Sequence, residues 1–237
     1  MQIIKNFIKQ LQHYKLHQVG VVPTRHITKE DIIKAKKKNI FVAEFVMPSD
    51  IPIKAVMMKK FCLPYLASDS KVVEIGSGSG LQAKVILECF PNIMYYAFEP
   101  SYELSQYTSD FFKNYNFINM PSTGYQLSGI ENNSIDLVHS TGVFVILPQQ
   151  NGLHYFNESA RVLKKGGHLV FDFYNLENSY EGFTNHINKH INNFANRTLW
   201  PASYLNKYLE SLRFKQVNLV DYNDYYDYRT YAVFQKL

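Results

Sequence analysis

From residue 71 to the end of the chain, short apolar runs alternate with stretches whose apolar residues recur at helical spacing. The runs predict strands at about 71–75, 94–98, 116–119, 135–139, 168–174, 214–221 and 229–235. Between them the spacing predicts helices near 79–90, 101–113, 151–164 and 201–212. Asn151 is the expected N-cap of the third helix, and Pro201-Ala202-Ser203 suits the first turn of the fourth. Strands alternating with helices in this way predict an α/β fold, a doubly wound sheet covered on both faces.

The first third reads differently. Ile3, Ile4, Phe7, Ile8 and Leu11 form one stripe of a helix over residues 1–19. A Val-Gly-Val-Val-Pro break follows, then Thr28-Lys29-Glu30-Asp31 as a helix start and a lysine-rich helix through Lys38. Another helix is expected from Ile53 to Leu66, and Ser68-Asp69-Ser70 marks a boundary. This divides the chain into a helical extension or cap, residues 1–69, and a sheet domain, residues 70–237.

Charge sharpens that division. The chain carries a net +5, yet residues 1–40 hold nine Lys/Arg against Glu30 and Asp31, a local +7. Such a segment can face an anionic partner or simply be a solvated helix face. With 237 residues, 46% of them apolar, the chain can bury one sizeable core. Cys62 and Cys89 lack metal-ligand spacing and read as reduced, buried thiols of a cytoplasmic protein. No apolar run reaches the roughly 18–20 residues of a membrane span, and the amino-terminal residues lack a signal-peptide pattern.

The chemistry concentrates in Val72-Val73-Glu74-Ile75-Gly76-Ser77-Gly78-Ser79-Gly80, where a buried strand runs into a glycine-rich turn and a helix opens behind it. Glu99 follows the next apolar run, about 20 residues on, the spacing at which a carboxylate grips the two ribose hydroxyls of a nucleoside cofactor. Glu74, just before the turn, would repel the pyrophosphate that a dinucleotide places on the helix N-terminus. A carboxylate there suits a cationic ligand end, such as the amino group or sulfonium of S-adenosylmethionine.

At these residues the chain resembles the class I S-adenosylmethionine-dependent methyltransferases, whose first motif is an acidic residue followed by Gly-x-Gly-x-Gly. The resemblance continues through Ser134-Ile135-Asp136-Leu137-Val138 and through the turn Arg161-Val162-Leu163-Lys164-Lys165-Gly166-Gly167-His168-Leu169-Val170. It implies a Rossmann-like seven-stranded sheet of order 3-2-1-4-5-7-6 with strand 7 antiparallel. It also implies S-adenosylmethionine as cofactor, held by Glu74, Gly76, Ser77, Gly78, Gly80, Glu99, Pro100 and Ser140. The family often carries an acidic residue near the adenine after the third strand; here Thr123-Gly124-Tyr125-Gln126-Leu127 stands, leaving Tyr125, Gln126 or backbone groups for that contact. At the end of the fourth strand His139-Ser140-Thr141-Gly142 replaces the Asn/Asp-Pro-Pro-aromatic tetrapeptide of adenine and glutamine-amide methyltransferases.

Methyl transfer is an in-line displacement that needs alignment and exclusion of water more than it needs a fixed catalytic residue. For a hydroxyl acceptor a general base is required, and His139 and Asp172 are the candidates. His154 reads as a bystander on a surface helix. His186 and His190 have helical spacing but no third ligand, so no metal site is expected. The linker Asp221-Tyr222-Asn223-Asp224-Tyr225-Tyr226-Asp227-Tyr228-Arg229 is either an acceptor-facing wall or an ordinary polar hairpin. The expected acceptor is a small molecule or glycan hydroxyl. A nucleic-acid or protein methyltransferase, a nicotinamide-dependent oxidoreductase and a non-catalytic binding protein of the same fold are the alternatives.

Overall fold

The computed structural model describes residues 27–48, 50–177, 198–224 and 227–237. The expected helix at 1–19, the His186–His190 pair and the tyrosines at the hairpin tip lie outside these residues. The lysine-rich helix α1 (Lys29–Lys38) begins where expected: Thr28 Oγ1 accepts the N–H of Asp31 at 3.1 Å, and the Asp31 carboxylate accepts the N–H of Thr28 at 2.9 Å. A short helix α2 (Val42–Val46), which the periodicity did not reveal, leads to α3 (Asp50–Phe61) and a single 3₁₀ turn.

The sheet contains β1 (Lys71–Ile75), β2 (Met94–Phe98), β3 (Phe117–Met120), β4 (Ile135–Ser140), β5 (Leu163–Asn175), β7 (Phe214–Asp224) and β8 (Asp227–Lys236). A two-residue strand, β6 (Leu199–Trp200), pairs with the end of β5. Spatial order is β3-β2-β1-β4-β5-β8-β7, with β1 to β5 parallel and β8 antiparallel to both its neighbours. Because β6 adds one to the chain count, this is the expected order with its antiparallel strand in the expected place.

The period of two along each strand builds two cores. Val72, Leu137, Val170, Tyr231 and Val233 face one side, packed with α1 to α3, with α4 (Leu81–Cys89) and with Tyr107 of α5 (Tyr102–Phe111). Val73, Val138, Phe171, Ala232 and Phe234 face the other, beneath α6 (Gln149–Val162) and α7 (Ala202–Ser211). The helices before residue 70 therefore share a continuous core with the sheet. Lys36, on the solvated face of α1, bridges to Asp110 of α5 at 3.0 Å.

Four local expectations are corrected. Helix α6 starts at Gln149, since the Pro148 carbonyl already receives the N–H groups of Asn151 and Gly152. Asn151 is instead buried and donates through Nδ2 to the Gly124 carbonyl at 3.3 Å. Strand β5 begins five residues early, because Leu163 already pairs with Ile135 across a bulge and Lys164 bridges to Asp136 at 2.7 Å. Most of the expected 221–229 linker is strand, the ladder running up to the pair Asp224–Asp227. Cys62 is buried as expected, but Cys89 at the end of α4 is exposed.

Candidate active site

All five parallel strands deliver their carboxyl ends to one edge of the sheet, where ligands of open α/β sheets bind. The turn after β1 is held by Gly76 N–H on the Phe98 carbonyl at 2.8 Å and Gly80 N–H on the Ser77 carbonyl at 2.8 Å. Its glycines serve different ends. A Cβ on Gly76 would come within 2.3 Å of Val143 Cγ2, so that position is closed by packing. Gly78, at φ +52°, has no heavy atom within 4 Å of where a Cβ would sit. Bare backbone there faces open space, which is what a cofactor lying against the turn requires.

Glu99 braces the turn from β2. One carboxylate oxygen accepts the N–H of Gly78 at 2.7 Å and the other the N–H of Ser101 at 2.7 Å, leaving further lone pairs on both for a vicinal diol. Burial raises its pKa above the ordinary carboxylate value, against the pull of those two N–H donors. Pro100 follows it, half-buried, and Ser101 caps α5.

Glu74 is fully buried at the end of β1, and burial is the main cause that pushes its pKa up to about 8. Its Oε2 accepts the Tyr95 hydroxyl at 2.7 Å, while Oε1 has no partner. Ser77 Oγ is likewise buried and without a partner. Ser140 closes the floor from β4, donating to the Ile75 carbonyl at 3.0 Å. A buried carboxylate with an orphan oxygen, an orphan hydroxyl and an open glycine cradle fit a ligand that brings a cation and hydroxyl groups.

The residues expected near the adenine lie in the loop after β3, tied down by the contact of Asn151 with Gly124. Tyr125 is half-buried with its ring 5.8 Å from that of His154, whereas Gln126 is exposed and its N–H is held by Thr123 Oγ1 at 3.2 Å. His154 is exposed on α6.

The two candidate bases are found otherwise engaged. His139 is fully buried on the α1–α4 side, its Nε2 2.8 Å from the Tyr95 hydroxyl, and burial lowers its pKa to about 3. Asp172 is also fully buried; it accepts the N–H of Gly142 at 2.6 Å and pairs with Arg229 at 2.7 Å. In the hairpin, Tyr222 packs its ring edge-on to Tyr231, an interior contact. Among the described residues no group of side chains could hold a metal ion.

Tyr95 lies inside the apolar run predicted as the strand at 94–98, and nothing in that run singles it out as a site residue. The signal lay in register. Glu74 pairs with His139 on one side and with Ala97 on the other, and Tyr95 stands two residues before Ala97, on the same face.

Residues 73–171 match the family model described as a methyltransferase domain. The fold is shared with many solved structures. Magnesium protoporphyrin IX methyltransferase of Synechocystis, solved with bound S-adenosylhomocysteine, matches with a TM-score of 0.61 at 10% identity, covering 100% of this chain and 99% of that one. An S-adenosylmethionine-dependent methyltransferase of Aquifex aeolicus matches at 0.59 and 15% identity over 87% and 98%. One from Methanosarcina mazei matches at 0.58 and 15% over 73% and 95%. No curated protein sequence matches significantly.

The sheet order, the acidic glycine turn and the matched domain define a methyltransferase domain of Rossmann-like fold. Residues 73–171 match a methyltransferase domain, and the sheet order with the acidic glycine turn is the fold of the class I S-adenosylmethionine-dependent methyltransferases; the cofactor this implies is S-adenosylmethionine. No described helix is long and apolar enough to cross a membrane.

Proposed function

We propose that this protein transfers the methyl group of S-adenosylmethionine to a hydroxyl of a small molecule or glycan. The observation that carries the donor site is the pair of acidic side chains flanking an open turn: Glu74 with its orphan Oε1, and Glu99 braced on Gly78. In this reading Glu74 takes the donor's ammonium group and Glu99 its ribose diol. Gly76, Ser77, Gly78 and Gly80 supply backbone and hydroxyl contacts along the turn. Pro100, Tyr125 and Gln126 border the adenine, and Ser140 holds the floor.

The bound donor supplies an electrophilic methyl on a sulfonium. The chain's own residues bind, orient and keep water away. His139 and Asp172 support this site instead of reacting in it, since each is buried and committed to neighbouring groups. The hydroxyl acceptor is supported by the His139-Ser140-Thr141-Gly142 sequence, which lacks the tetrapeptide suited to amide and adenine nitrogens. Residence in the cytoplasm is consistent with two free thiols.

Calorimetric titration with S-adenosylhomocysteine, with NAD as control, tests the donor site. The expected result is micromolar binding of the first and none of the second; the reverse would overturn the reading. Transfer of labelled methyl to panels of hydroxylated small molecules and sugars then tests the acceptor class.

A further inference from the structure

Glu74, Tyr95 and His139 are buried to the same full degree and form one chain of hydrogen bonds across β1, β2 and β4. The Tyr95 oxygen stands 2.7 Å from Glu74 Oε2 and 2.8 Å from His139 Nε2. A phenol has one proton to give, so it cannot donate to both. The chain ends in two atoms without partners, Glu74 Oε1 and His139 Nδ1. Full burial makes an unmatched polar atom costly, and the carboxylate end is the one that borders the glycine turn.

We propose that Tyr95 and His139 are positioning residues for the donor: they brace Glu74 as a carboxylate with one oxygen occupied and the other presented to a cation, so that donor binding expels a proton. This rests on the donor site described above. When Glu74 is ionised, Tyr95 donates to Oε2 and must accept from His139, which is then the Nε2–H tautomer. Without a ligand, the buried carboxyl holds its proton at neutral pH; on binding, that proton leaves to solvent and the ligand ammonium replaces it as the partner of Oε1. Other groups bear on the same carboxyl. Glu99, beyond β2, disfavours its ionisation; Lys54, on α3, favours it; and Cys62, after α3, has its thiol pushed up by burial and by Glu74.

The test is titration of the whole protein with S-adenosylhomocysteine in buffers of different ionisation enthalpy, which counts protons released on binding. About one proton per site is expected at pH 7, declining as the pH passes about 8. Glu74→Gln should abolish the release. Tyr95→Phe keeps the ring but removes the donor to Oε2; it should weaken binding at pH 7 roughly tenfold and shift the pH dependence of binding upward. Nitrogen NMR of the wild-type complex should show His139 as the Nε2–H tautomer. Tight binding without proton release between pH 6 and 8, or with His139 as the Nδ1–H tautomer, overturns the inference and leaves the donor site standing. Failure of S-adenosylhomocysteine to bind overturns both.

Discussion

Asp172 on β5 holds Gly142 of the post-β4 loop with one oxygen and Arg229 of β8 with the other, at 2.6 and 2.7 Å. One buried carboxylate thus ties three strand ends together at the carboxyl edge of the parallel strands. Asp172→Ala leaves both partners behind and should destabilise the fold by about 3 kcal/mol, read by denaturant unfolding. Asp172→Asn keeps an acceptor for Gly142 and should cost less. If Asp172 were instead the general base, Asn would abolish turnover at unchanged stability.

The glycine turn makes a second contrast. Gly78→Arg occupies open space, so the cost in stability is limited to the strain of positive φ, about 1–2 kcal/mol. It should nonetheless abolish S-adenosylhomocysteine binding. Gly76→Ala drives a methyl into Val143 and should lower the melting temperature more than Gly78→Ala does. Thermal scans paired with titration separate the two.

Glu99 joins a structural task to a binding one. Glu99→Ala removes the acceptor from Gly78 and Ser101 together. The expected loss of S-adenosylhomocysteine affinity is roughly tenfold to a hundredfold, the worth of one to two charge-assisted hydrogen bonds. Glu99→Gln, which keeps one acceptor oxygen, should fall between wild type and Ala.

Buried Glu74 and His139 also shape stability against pH. Glu74 is raised from 4.5 to about 8, so its contribution to stability is fully present below 4.5 and is lost as pH rises through 8. His139 is lowered from 6.5 to about 3, so its contribution is present above 6.5 and is lost as pH falls through 3. The two slopes oppose between 4.5 and 6.5 and leave a net fall from 6.5 to 8. Glu74→Gln should remove that fall in melting temperature, while S-adenosylhomocysteine should oppose it in the wild type.

Local signals carried much of this molecule. An apolar run ending in glycines can only be a strand entering a tight turn, and an acid one strand later must stand beside that turn in a parallel sheet. Thr28 and Asp31 capped their helix because a cap is a matter of neighbouring residues. Short or shared features were not legible: α2 has five residues and β6 two, too few for a periodicity to show, and the early start of β5 depends on a bulge opposite Ile135.

The sequence alone determined the class of fold, the place of the glycine turn and the two acids around it, since each follows from contacts within a strand–turn–helix unit. Only the tertiary structure decided which groups His139, Asp172 and Tyr95 meet. Tyr95 meets Glu74 across 21 residues and His139 across 44, and Asp172 meets Arg229 across 57. Such partners are chosen by strand order and register, and burial then shifts the pKa values of Glu74 and His139 by withholding water, a condition that no single stretch of sequence contains.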